Sequence, residues 1–158
     1  MRGKRTATGA ALVTGALAIA GLVCAPAALA VSPGSATINA DCGGFGSGEA
    51  TITATQDGTA ATMTINSSAI TAPIGLSEDS ITSTLTLVNA AGGTTSFTAT
   101  ENPAIAAGDP VQVGPLPGVV ASGDSLEAYG GSLTMTVFGI TITCTATAPQ
   151  SPGPFVFD

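Results

Sequence analysis

The chain has 158 residues, with ten acidic side chains against three basic ones, no histidine and no tryptophan. All three cations, Arg2, Lys4 and Arg5, stand in the first five positions, so from Val31 onward the chain carries carboxylates and no positive side chain. This excludes nucleic acid as a partner, because phosphates are held by Lys and Arg displacing counterions. It also disfavours anionic membrane surfaces and removes the His or Lys that normally activates a hydroxyl nucleophile.

Residues 1–30 have the three parts of an export signal: the basic start, an apolar centre over about Ala7–Val23, and the small-x-small site Ala28-Leu29-Ala30. The expectation is a secreted, extracellular protein that begins at Val31 and does not insert into a membrane after cleavage. A minor alternative is a lipoprotein anchored at Cys24, which follows Gly21-Leu22-Val23; Val23 is larger than the small residue such a site prefers. Loss of the signal leaves Cys42 and Cys144, an even pair in an oxidising compartment, and predicts one disulfide. A redox or metal role lacks a C-x-x-C spacing, a histidine and a nearby cation.

A short leader, 31–35, precedes period-two alternation, the mark of β-strands. Ile38, Ala40 and Cys42 share one face of a first strand, and Ala50, Ile52 and Ala54 share one face of a second. Gln56-Asp57-Gly58-Thr59 predicts a type I′ hairpin centred on Asp-Gly, after which Ala61, Met63 and Ile65 face inward. Ile81, Ser83, Leu85 and Leu87 line a fourth strand, Asn89 to Gly93 forms a second hairpin loop, and Phe97 and Ala99 return. Between Asn102 and Gly131 the prolines confine Val111-Gln112-Val113 and Val119-Val120 to edge strands or loops. The last strand region changes parity, from Leu133, Met135 and Val137 to Ile140, Ile142, Cys144 and Ala146, which predicts a β-bulge near Phe138-Gly139. A Pro/Gly-rich tail, 149–158, ends in Phe155-Val156-Phe157-Asp158.

Seven to nine short strands and frequent turns predict an all-β domain over 36–148, an immunoglobulin-like β-sandwich with one disulfide joining its first and last strands. In outline the chain resembles exported immunoglobulin-like domains of high-GC bacteria, including the secreted apoproteins that carry enediyne chromophores. Those look to have two short-range disulfides where this chain has one long-range pair, and no motif carries a binding residue across.

Site chemistry is sparse. The acid pairs Glu78/Asp79, Asp124/Glu127 and Asp41/Glu49 are the only candidates for carboxylate catalysis, and they read as solvated loop acids. Asp109, Asp124 and Glu127 are the calcium candidates, without a D-x-D-x-D-G ladder. No metal site and no cofactor is predicted. The T-x-T runs read as solvent-facing strand residues; an ice-binding array would need evenly spaced ranks. Phe97, Tyr129 and Phe138 are the candidate lining of a pocket between sheets. Phe155 and Phe157 either fold back as an edge strand or dock into a partner by strand addition. The functional expectation is a non-enzymatic exported protein acting through its surface on an extracellular protein or cell-envelope component, or serving as a structural envelope module. A small-ligand binder is the alternative, and an enzyme using paired carboxylates comes third.

Overall fold

The computed structural model describes residues 31–158; the expected export signal and Cys24 lie outside the described residues. The described residues are all-β, with ten antiparallel strands among them: β1 (Val31–Ser32), β2 (Ser35–Asp41), β3 (Ser47–Asp57), β4 (Ala60–Thr71), β5 (Thr82–Asn89), β6 (Thr94–Thr100), β7 (Pro110–Val119), β8 (Ser125–Val137), β9 (Ile140–Ala146) and β10 (Phe155–Phe157). A single 3-10 turn, Gly43–Phe45, links β2 to β3.

The strands make two layers. In one, β2, β3, β4 and β7 lie side by side; in the other, β6, β5 and β8 do, with β9 and the β10–β1 pair sharing the far edge of β8. β9 pairs with β8 through Leu133–Val137 and with β2 through Ala40 and Asp41, so it is the seam between the layers. Extending the β2–β9 register by one residue sets Cys42 opposite Cys144, and these two are disulfide-bonded with Cα atoms 4.0 Å apart. The bridge spans 102 residues.

The alternation of small or apolar residues with threonine explains the faces. Ala50, Ile52 and Ala54 are buried while Thr53 and Thr55 are exposed; Ile81, Ser83, Leu85 and Leu87 are buried while the threonines between them face out. On the outer face, threonine hydroxyls pair across strands, as in Thr55–Thr62, Thr82–Thr100 and Thr84–Thr98. Such pairs lock β-branched side chains that are already stiff about χ1.

Side-chain volume is unevenly distributed along the core. Phe97, Leu116, Leu126, Phe155 and Phe157 are all fully buried toward the end that carries the β3–β4 hairpin and both described chain ends. Phe97 lies over Gly118 of β7, where a Cβ would come within 2.3 Å of its ring. Toward the other end the inner faces carry Ala40, Cys42, Ala50, Cys144 and Ala146. The two ends are roughly 35 Å apart along β8, at about 3.3 Å per residue.

Several expected details differ. Residues 31–35 are no leader: Val31 and Ser32 pair with Phe157 and Val156, and Val31 is buried. The tail takes the first of its two expected courses and folds back, though not as an edge strand: β10 lies between β1 and β8, with Phe155 and Phe157 buried in the core. Gln56 accepts from the Asp158 N–H and donates to its carbonyl, and Gln150 accepts from the Ala128 N–H, clamping the tail from both sides. Phe138-Gly139 is a two-residue hairpin turn with φ of 50° and 77°, not a bulge within one strand. Such a turn sets Val137 opposite Ile140 and thereby switches the inward parity from odd to even. The first hairpin turns on Gly58-Thr59, with φ of 60° at Gly58 and Asp57 opposite Ala60; a glycine at the first central position suits a type II′ turn rather than the expected I′. The prolines do keep β7 at an edge, where it pairs only with β4 and bulges at Gly114-Pro115.

Two stability outcomes follow. Phe157→Ala should cost about 3–5 kcal/mol by emptying a filled core site, whereas Val156→Ala, at a partly solvated position of the same strand, should cost under about 1 kcal/mol; denaturant unfolding of both checks this. Ser83 has a fully buried hydroxyl with no hydrogen-bond partner. Ser83→Ala removes an unsatisfied polar atom and should leave stability unchanged or raise it by about 1 kcal/mol in the same assay.

Candidate functional site: an apolar cleft at one end of the layers

At the end away from the described chain termini, three connections converge: the Gly43–Phe45 turn, the β4–β5 link through Ala72-Pro73-Ile74, and the β8–β9 hairpin tip. Between them lies a cleft of about 370 Å³, floored by Leu76, Ile81, Val111 and Met135 and bounded by the disulfide at Cys42. Phe45, Ile74, Phe138 and Ile140 stand at its mouth with 52%, 54%, 69% and 54% of their surface exposed. Scattered exposed apolar residues are ordinary; a group of four around one concavity makes this end the candidate binding surface.

Local sequence explains each wall. Phe138 occupies a positive-φ turn position and points away from both strands, because the two-residue turn leaves no inward face for it. Phe45 sits in the turn begun by Gly43, where the Asp41 carboxylate accepts from the Gly43 N–H at 2.8 Å. The β4–β5 link is pinned by Asn102, whose side chain uses its whole bonding capacity. Its Oδ1 accepts from Ser80 and Ile81 N–H at 2.8 Å each, and its Nδ2 donates to the Ser77 and Pro103 carbonyls at 2.9 and 2.7 Å. Leu76 adds a two-way backbone bridge to Ile105. Sequence reading missed Asn102, although an Asn-Pro step in a proline-rich region is a turn signal.

Behind the cleft lies a smaller gap of about 40 Å³ between the layers, at the alanine-rich part of the core. Ile70, Val111, Met135 and Cys42 line both spaces.

The expected aromatic trio is not brought together. Only Phe138 lines the cleft; Phe97 is fully buried in the core, and Tyr129 is half-exposed on the bulged stretch of β8 facing β5. The carboxylates are likewise dispersed. Asp109 lies at the cleft end, its carbonyl accepting from Ala72, whereas Asp124 and Glu127 lie at the other end. Asp124 Oδ2 accepts from Ala121, and Glu127 Oε1 accepts from Ala128, Tyr129 and Gln150 N–H groups, so both acids are occupied in fixing backbone. Glu49 pairs across from Asn39 rather than Asp41, and both acids are exposed. Among the described residues no three His, Cys, Asp or Glu are placed to hold a metal ion, and none of their helices is long and apolar enough to cross a membrane. No protein family, curated protein or solved structure matches the chain.

Asn102→Ala should lower stability by about 2–4 kcal/mol, since it orphans the Ser80 and Ile81 N–H groups of the link and the Pro103 carbonyl at once, the Ser77 carbonyl keeping the Ser80 hydroxyl. Faster hydrogen exchange at Ser80 and Ile81, with the β3 amides unaffected until global unfolding, would locate the loss at the cleft wall.

Proposed function

We propose that the protein is an exported, non-catalytic binding module and that it engages a cell-envelope component through its apolar end. The observation that carries this reading is the convergence of Phe45, Ile74, Phe138 and Ile140 on one cleft. The absence of His, Lys and Arg beyond residue 30, and the commitment of Cys42 and Cys144 to a bridge, support a binding rather than a chemical role. The bridge and the export signal in the sequence support an extracytoplasmic location.

An immunoglobulin-like arrangement is supported by the strand orders. β3-β4-β7 in one layer and β9-β8-β5-β6 in the other correspond to the A-B-E and G-F-C-C′ orders of such sandwiches, with β2 added beside the first strand. The bridge departs from that plan, joining β2 to β9 instead of the B and F positions.

The second reading, a small-ligand binder, is favoured by the cleft's size, which falls at the lower end of the roughly 300–1,000 Å³ usual for small-molecule sites. Titration of the native protein with N-phenyl-1-naphthylamine, a neutral apolar dye, tests the apolar end directly. Saturable one-to-one binding that weakens tenfold or more in Ile74→Ser/Phe138→Ser, with an unchanged melting temperature, is the expected outcome. Equal dye binding by the double variant would remove the cleft as the binding surface.

A further inference from the structure

We propose that the cleft and the gap behind it form one continuous site for an unbranched hydrocarbon chain carried on an uncharged head group, the chemistry of a single-chain neutral amphiphile. The proposal rests on the apolar end being the binding end and adds the ligand's shape and charge.

Shape comes from the two spaces adjoining at shared walls. The gap has about a tenth of the cleft's volume, and the same Cys42, Ile70, Val111 and Met135 side chains line both. An object entering the gap must therefore taper to a chain; a helix, about 10–12 Å across with its side chains, is far too thick. The small side chains of Ala40, Ala50, Ala128 and Ala146 among its lining leave the space unfilled. At about 40 Å³ it has room for roughly three water-sized groups, at 10–15 Å³ of probe volume each, and so for no more than the end of a chain. Its lining is almost entirely apolar, and the Ser67 hydroxyl at its edge is already bonded, donating to the Glu49 carbonyl and accepting from the Ile70 N–H.

Charge excludes the commonest alternative. A fatty-acid carboxylate at the mouth would meet a domain bearing ten acidic side chains and, from Val31 onward, no cation to pair with. An ester- or hydroxyl-linked head has no such conflict.

The test is calorimetric titration of the native, disulfide-intact protein with 1-monoacylglycerols of eight to fourteen carbons, each below its micelle concentration, alongside decanoate. Affinity should rise roughly fourfold per added methylene until the gap is filled and then level off. Decanoate should bind at least tenfold more weakly than the acylglycerol of equal chain length. Ala146→Leu, which fills the gap from β9, should move the levelling point to a shorter chain while naphthylamine binding persists; Ala50→Val does the same from β3 should the first variant fail to fold. Dye binding without chain-length dependence, or decanoate binding as tightly as its neutral counterpart, overturns the proposal while leaving the apolar end as the binding surface. Failure of both dye and acylglycerols overturns both.

Discussion

The Cys42–Cys144 bridge lies where the two layers share β9, and the cleft hangs from it. Cys42 leads directly into the turn that carries Phe45, and β9 begins directly after the turn that carries Phe138. Both mouth aromatics are thus held a few residues from one covalent link. In a chain with no cation to form an ion pair after residue 30, that link, apolar packing and backbone hydrogen bonds are what hold the seam. In the chain-entropy model a loop of this length is worth up to roughly 4–5 kcal/mol. For a core poor in large side chains at this end, that is a substantial share of the few kcal/mol by which domains are stable.

The uneven filling of the core connects fold to site. Aromatic rings fill the end where the chain's described termini meet, so that end is closed and tight against glycine, as Phe97 is against Gly118. At the other end the inner faces carry Ala40, Ala50 and the bridged cysteines, and the loops there present Phe45, Ile74 and Phe138 around the cleft. Small side chains inside and apolar ones on the loops thus meet at one end.

Much of the architecture was legible because threonine and small apolar residues alternate so regularly. The inward faces of β3, β4 and β5 and the pairing of the cysteines needed only period two and the two cysteines that stand beyond residue 30. The β8–β9 hairpin was not legible as such, since Phe138-Gly139 lacks the Asn-Gly or Asp-Gly that marks a type I′ turn, and a parity change reads equally well as a bulge. Strand β1 escaped because two residues give no period, and β10 was legible only as one of two courses for the tail; only the fold shows that Val31 and Phe157 bury each other. The site was legible least of all. Phe97 and Phe138 look alike as lone aromatics in strand sequence, and only pairing decides that one fills the core while the other stands at the mouth of a cleft. Phe45 and Ile74 sit in connections, where exposure depends on where the loop ends up rather than on any local pattern.

Val31 and Asp158 lie beside the β3–β4 hairpin, with the whole length of β8 between them and the cleft. Whatever covalently precedes Val31, or is fused after Asp158, leaves the domain at the end opposite its opening. Attached to a surface by either end, the domain stands with its mouth outward, and a label or support placed there leaves the opening unobstructed.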